Sequence, residues 1–505
     1  VTPFILRRLG ISLLVLLGAS LLLFVLMINS GDPLEELRES NAENREQLME
    51  RRIAFMGLDL PWYTRYWQWL SGVAGCLRLS CDLGTTRNGV DVVSLLGEAA
   101  QSTLRLVVLA TLLAIVIGIT VGILTALRQY SGFDYAVTLL AFLFFSLPVF
   151  WAAVLLKEFG AIRFNDWMRE PTFEPLTILL VAGVVAFVLQ AVLGGNVRRR
   201  LLTAATVLVV VAGALFYFSA VEWFRRPALG IGLVLLVGAA AAVGLTVLLA
   251  GLGNRKVLYA ALTTVALGGV GHLATGPLLE EPTWLTLVLL LVVAVAVGIG
   301  VGWAWGGYAR RLSIGVSGVT GLVMGLLILA DHAVSAWASL LQEKPRPIST
   351  IGSHTPNFSG GFWESFLDKG TQLLLPTVIL TLISVASYTR YTRSSMLEVL
   401  NQDYVRTARS KGLSERVVIV KHAFRNALIP ITTIVAFDFA GLIGGAVITE
   451  QVFGWKGMGD LFQTGLRTVD PAPVMAFFLV TGSAAILMNL LADIAYGALD
   501  PRIRR

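Results

Sequence analysis

EVLNQDYVRTARSKGLSERVVIVKHAFRNALIP, residues 398–430, is a charged stretch between two runs apolar enough to cross a membrane. Glu398, Asp403, Arg406, Arg409, Lys411 and Glu415 suit an exposed face, while Val399, Leu400, Tyr404, Val405 and Ala408 recur beneath them at helical spacing. Gly412 ends such a helix well, because glycine takes the left-handed C-terminal conformation without penalty. Ser414 and Glu415 then restart a segment from Arg416 to Ala427, and Pro430 marks the start of the next span. The expectation is a short helix laid along the membrane face and turned sharply at a glycine. Judged on charge alone, an ordinary basic loop fits equally well.

Outward from this stretch the chain is mostly apolar. Of its 505 residues 56% are hydrophobic and 14% charged, and the charges gather in short gaps between long apolar runs. That pattern describes an all-α polytopic membrane protein, in contact with lipid on most of its surface. The net charge of +7 sits in short clusters, which report orientation and not a nucleic-acid partner. A span needs roughly 20 apolar residues, and about twelve stretches meet that: 9–28, 102–126, 134–157, 176–193, 201–220, 228–250, 257–273, 284–305, 314–333, 371–391, 431–449 and 474–497. The first follows Arg7 and Arg8 as a signal peptide would, but it is long enough to span and is read as retained. With the N-terminus cytoplasmic, alternation puts Arg128, Arg198 to Arg200, Arg255 and Lys256, Arg310 and Arg311, the 390–425 region and the terminal arginines inside. Both termini are then cytoplasmic. Arg225 and Arg226 form the one short loop that disagrees.

Residues 29–101 form a long outer loop carrying Trp62, Tyr63, Tyr66, Trp67 and Trp69, read as an interfacial belt or packed cap. Cys76 and Cys81 lie in it; a disulfide between them and two free thiols are both open. The block 171–345 is rich in Val, Leu, Ala and Gly, with Gly298, Gly302 and Gly306 spaced for close helix packing. Asp331 and His332 fall at an expected outer helix end, where hydration makes them cheap. Asp438 stands mid-span, where a carboxylate faces a bundle interior or a water-filled path. Ser146 and Pro148 are read chiefly as shaping a bend. Neither a catalytic constellation nor a metal motif is found, which weighs against an intramembrane enzyme.

The 398–430 stretch resembles the EAA-type coupling loop of the dipeptide/oligopeptide/nickel permease family of bacterial ABC importers. The matching residues are Asp403, Tyr404, Val405, Arg406, Thr407, Ala408 and Arg409, then Lys411, Gly412 and Leu413, then His422, Ala423, Arg425, Asn426, Ala427 and Pro430. Ala408 and Gly412 occupy the motif's alanine and glycine positions, while Arg406 stands at its glutamate position. The resemblance continues in residues 4–9, in Gly31-Asp32-Pro33, in 58–72, in Asp82-Leu83-Gly84 and in the 146–151 run SLPVFW. It resumes in 393–398, Gly444, Gly445, Glu450, Val452, Phe453, Trp455 and Gly457, and closes on Asp493 and Asp500-Pro501-Arg502; Lys456 replaces a common proline.

This resemblance covers roughly 1–160 and 346–505 and implies a type I permease core of six spans, interrupted by about six more in 171–345. It implies a bacterial inner-membrane location and the movement of di- or oligopeptides, with nickel or another small solute as the alternative cargo. It further implies a second homologous permease subunit, ATP-binding subunits docked at Asp403, Tyr404, Arg406, Ala408, Arg409, Lys411, Gly412 and Leu413, and an external substrate-binding protein. ATP and Mg would belong to the partner subunits, since no G-x-x-x-x-G-K-[ST] loop occurs in these residues; no cofactor is expected on this chain. Asp438 and Ser146 are the candidates for the translocation path. A twelve-span secondary transporter is the rival from another class, and the coupling loop argues against it.

Overall fold

The computed structural model describes residues 2–499 apart from Leu252 and His354. Asp500, Pro501, Arg502, Arg504 and Arg505 therefore lie outside the described residues. The first helices in chain order are α1 (Thr2–Ile28), α2 (Trp62–Cys76), α3 (Val92–Leu127), α4 (Gly132–Ser146) and α5 (Val149–Lys157). Six follow: α6 (Pro175–Leu193), α7 (Val197–Ala220), α8 (Gly230–Leu249), α9 (Arg255–Ala274), α10 (Trp284–Trp305) and α11 (Arg310–Ser335). The last are α12 (Phe362–Leu400), α13 (Asp403–Ser410), α14 (Arg425–Gly445), α15 (Val447–Phe453), α16 (Met458–Arg467) and α17 (Pro471–Leu499). Among the described residues the only β pairing is the isolated bridge between Thr85 and Asp91. Helices prevail because a backbone in lipid must close its hydrogen bonds within its own segment.

Among the described residues eleven helices are long and apolar enough to cross a membrane, and a bent pair makes up to 12. The bent pair is the expected 134–157 span, which is not one straight helix: Gly132–Ser146 and Val149–Trp167 meet at 102°. Pro148 has no N–H to offer, and it forces Leu147 before it into extended backbone (φ −74°, ψ 126°).

The chain divides into two compact units, one of 1–160, 350–353 and 373–505, the other of 161–349 and 354–372. In the first unit, α3 and α12 cross closely at Gly118 and Gly122. A Cβ on Gly118 would stand 2.7 Å from that of Tyr388, and one on Gly122 2.6 Å from that of Thr392. Small residues here let two helices approach where lipid gives them no hydrophobic reason to associate. Val107 of α3, Ile443 of α14, Met458 of α16 and Ala476 of α17 join Leu83 and Leu96 in one apolar core. The outer loop is tied to that core: Asp470, just before α17, accepts the Arg87 N–H at 2.7 Å, and the Arg87 guanidinium reaches Glu36 at 2.8 Å. On α2 the ring of Tyr66 packs against Phe24 and its hydroxyl lies 2.9 Å from that of Ser20, while Trp62, Tyr63 and Trp67 are exposed.

In the second unit, α8 to α11 share a core of Val234, Ala242, Val257, Val265, Leu287, Val316 and Met324. Gly302 of α10 faces α11 so closely that a Cβ there would lie 2.6 Å from the Ser313 carbonyl. Asp331 is not hydrated as its expected position at a helix end suggested: it lies within α11 and is 7% exposed. Its Oδ1 accepts the N–H groups of Leu229 (3.1 Å) and Gly230 (2.9 Å), and His272 Nε2 lies 2.7 Å from Oδ2. The carboxylate therefore satisfies amides at the start of α8 that the helix itself leaves without partners. Within this unit α6 and α7 pack on each other, and no residue of α7 is buried.

Candidate coupling loop and membrane carboxylate

The coupling segment begins later than its residue pattern suggested. Glu398, Val399 and Leu400 are the last residues of the long helix α12. A turn at Asn401 and Gln402 separates them from α13, with Gln402 in extended backbone (φ −74°, ψ 150°). Asp403 in the first turn of α13 complements the positive end of the helix. Val405 (0% exposed) and Ala408 (5%) are the buried face. Tyr404, expected to pack beneath, instead stands 42% exposed. The reason is angular: Val405 and Ala408, three apart, face the same way, and Tyr404 lies a step round the helix from Val405.

Val405 and Ala408 pack with Ala126 of α3, Met396 of α12, and Val418, Ala423 and Ala427. Burying a valine side chain fully stabilises by about 1.5–3 kcal/mol, so this small contact seats the surface helix firmly. It also ties α13 to the ends of three spans. Asp403, Tyr404, Arg406, Arg409, Lys411, Gly412 and Leu413 remain exposed, leaving a polar face free above the apolar one.

Gly412 has φ 73°, the left-handed conformation expected of it, and its N–H donates to the Arg409 carbonyl at 2.9 Å. Across this turn Arg409 donates to both carboxylate oxygens of Glu415, with Nη2 to Oε1 at 2.7 Å and Nε to Oε2 at 3.1 Å. The pair is exposed, so its value is in fixing the turn more than in stability. Glu415–Val417 is a short α-turn, followed by a π-helical stretch Val418–Phe424 that runs straight into α14. Pro430 lies inside α14 and does not begin it. The wider π turn just upstream lets the chain enter the span before the proline is reached.

Near this end of the bundle sequence reasoning missed Asp134 as the partner of Arg393. Asp134 is 2% exposed and accepts from Arg393 Nε (2.7 Å) and Nη2 (2.9 Å) and from the Tyr130 N–H (3.0 Å). Ser131 Oγ in turn accepts the Asp134 N–H at 3.2 Å, so a helix cap precedes the ion pair. The signal was present: a serine three residues before an acidic residue that opens an apolar run.

Deeper in the bundle, Asp438 of α14 is partly buried, and its Oδ2 accepts from Ser384 Oγ (2.7 Å) and from the Tyr388 hydroxyl (2.6 Å), both on α12. Ser146 is not part of this group; it is the exposed last residue of α4, at the 102° bend. Cys76 and Cys81 are joined as a disulfide with Cα atoms 3.9 Å apart.

The 450–457 motif has a local physical cause. Glu450 accepts the Thr103 hydroxyl (2.6 Å) on Oε1, and the N–H groups of Gly459 (2.7 Å) and Asp460 (3.2 Å) on Oε2. Thr103 Oγ1 also accepts the Met458 N–H at 2.8 Å, so a glutamate and a threonine from elsewhere cap the first turn of α16. A Cβ on Gly459 would lie 2.5 Å from the Val447 Cα, and one on Gly457 would overlap the Glu450 carboxylate. Burial pushes the Glu450 carboxyl above the usual carboxylate range, against the pull of its donors, and does the same to Asp470.

Residues 291–505 match the family described as binding-protein-dependent transport system inner membrane component. The oligopeptide transport system permease protein OppB of Mycobacterium tuberculosis is 42% identical over 185 residues, 37% of this chain and 55% of OppB. AppB of Bacillus subtilis, named an oligopeptide transport system permease protein, is 45% identical over 139 residues, covering 28% of this chain and 44% of its own length. The dipeptide transport system permease protein DppB of Escherichia coli K12 is 43% identical over 140 residues, covering 28% and 41%. The chain thus spans about half the length of the curated relatives it matches. Part of the apolar middle of the chain, from residue 291 on, falls inside the family match, beyond the 346–505 that the motifs alone delimited. By this match, residues 291–505 are similar to the inner membrane components of binding-protein-dependent transport systems, and the relatives they resemble are oligopeptide and dipeptide transport system permease proteins.

Proposed function

We propose that this chain is the membrane-spanning, non-catalytic subunit of an ATP-driven importer that takes di- or oligopeptides from an external binding protein and releases them in the cytoplasm. The observation that carries the reading is the build of 403–415. A surface helix presents Tyr404, Arg406 and Arg409 outward while Val405 and Ala408 key it into α3, α12 and the start of α14. A motor that pushes on the polar face moves the ends of three spans together. The peptide cargo is supported by the similarity to oligopeptide and dipeptide transport system permease proteins.

In this reading ATP and Mg are held by separate ATP-binding subunits docked on 398–430, a second homologous permease completes the pathway, and both termini are cytoplasmic. Residues 1–160 and 346–505 form the permease core, and 171–345 is an insertion with an even number of spans that returns the chain to the same side. Alternating access requires only that the two end states differ in affinity for the ATP-bound motor and for the loaded binding protein. Asp438 is the residue proposed to meet a cationic peptide group, with Ser146 at the bend beside the path.

The test is reconstitution of the chain with its second permease and ATPase subunits in proteoliposomes, with a binding protein loaded with labelled tripeptide outside. Uptake is expected to need ATP hydrolysis and to vanish with Val405→Asp. Accumulation driven by an ion gradient without ATP would overturn the proposal in favour of a secondary transporter.

A further inference from the structure

The turn that joins α6 to α7 carries a basic surface that the coupling reading leaves unused. Asn196 Oδ1 accepts the Arg199 N–H at 3.0 Å, so this amide of the first turn of α7 is already engaged in a helix cap. What remains available are side chains. Arg198 and Arg199 line a groove of about 440 Å³ together with Thr203, Thr206 and Val207. Among the described residues no carboxylate pairs with either arginine. The Arg199 side chain lies over Gly195, where a Cβ would stand 2.8 Å from its Cδ.

Arg199, Thr203 and Thr206 recur at i, i+4 and i+7 and so share one face of α7. Along that face the chemistry passes from guanidinium through two hydroxyls to the apolar Val207, moving from the helix start into the span. A groove graded in this way suits an amphiphile with an anionic head, and a small soluble anion gains nothing from its apolar part. No residue of α7 is buried, so this face is left open along a helix apolar enough to span, where the surrounding medium of a membrane is lipid. We propose that the groove is a binding site for one anionic phospholipid, its phosphate held between Arg198 and Arg199, its glycerol region near Thr203 and its chains along Val207. In the proposed orientation this is the cytoplasmic leaflet.

The test is native mass spectrometry of the purified full chain released from nanodiscs of phosphatidylcholine with increasing phosphatidylglycerol. Retention of one phosphatidylglycerol is expected, weakened about thirtyfold by Arg198→Gln with Arg199→Gln, since each arginine near an anionic surface contributes a factor of about five. Arg198→Lys with Arg199→Lys, which keeps both charges, is expected to retain it. Arg310→Gln with Arg311→Gln, an equal loss of charge at another helix start, is expected to leave retention unchanged. Equal retention by wild type and the double glutamine variant overturns the site, as does equal loss in the Arg310 and Arg311 control. Thermal stabilisation by inorganic phosphate alone, matching that of the lipid, overturns the lipid assignment.

Discussion

Arg393 of α12 holds Asp134 of α4 through two parallel hydrogen bonds, Nε to Oδ1 at 2.7 Å and Nη2 to Oδ2 at 2.9 Å. Fork-to-carboxylate pairing of this kind fixes angle as well as distance. It sets the start of α4 against the segment of α12 that leads to the surface helix. Removing the arginine leaves the buried Asp134 carboxylate without its partner, so Arg393→Ala is expected to destabilise the first unit by about 3–5 kcal/mol. Asp134→Ala leaves a guanidinium that still reaches solvent, and its cost is expected to be smaller. Replacing both with apolar residues of similar volume should recover most of the Arg393→Ala loss. Thermal unfolding of the detergent-solubilised protein measures these losses, and equal ones in Arg393→Ala and the double variant would refute the pairing argument.

Val405 and Gly412 separate seating from turning. Val405→Asp puts a carboxylate into the cluster of Ala126, Met396 and Ala423 and should release α13 from the bundle. Gly412→Val requires a β-branched residue at φ 73°, a cost of about 1–2 kcal/mol. The expected outcome is loss of transport-coupled ATPase stimulation in both variants with the membrane spans intact by circular dichroism. Stimulation at the wild-type level in Val405→Asp would show that the apolar seat is not the coupling contact.

Asp438 poses a sharper choice. Its Oδ2 is shared by Ser384 and Tyr388, so the carboxylate has a structural task whatever else it does. Tyr388→Phe removes one donor and leaves the charge, and is expected to cost about 1 kcal/mol of stability with uptake retained. Asp438→Asn removes the charge and keeps the shape. If the charge meets a cationic peptide group, uptake of peptides with a free amino terminus should fall at least tenfold. Unchanged uptake in Asp438→Asn would leave the residue a purely structural hydrogen-bond acceptor.

Glu450 gives a pH signature. Burial raises its folded-state pKa, so the fold prefers the protonated form. The stabilisation from that preference is complete below the unfolded value of about 4.3 and is lost as pH rises through the folded value. The geometry accommodates the proton: Oε2 still accepts the Gly459 and Asp460 amides, and a hydroxyl on Oε1 faces Thr103. Glu450→Gln copies that form. It should flatten the rise of melting temperature on acidification from neutral pH toward that unfolded value while keeping the fold. Glu450→Ala should cost about 2–4 kcal/mol by leaving buried amides unpaired. An unaltered pH slope in Glu450→Gln would assign the dependence to another group, with Asp470, also raised by burial, the first to test.

The residues by themselves determined a good deal. Apolar length set the helical spans, because lipid admits no other way for most of the backbone to satisfy its hydrogen bonds. The order of charge, small residue and glycine around Ala408 and Gly412 marked the surface helix and its turn, since capping and left-handed backbone are local properties. Pairing across the chain could not be read this way. That Arg393 reaches Asp134, that Asp331 caps α8, that Glu450 and Thr103 cap α16, and that Gly118 and Gly122 admit α12 each depend on residues far apart in sequence. Sequence periodicity tells which face of a helix is apolar, and it is silent on which helix lies opposite. Only the tertiary structure decides where a buried carboxylate finds its donors, because the cost of leaving it unpaired is settled by whatever packs against it.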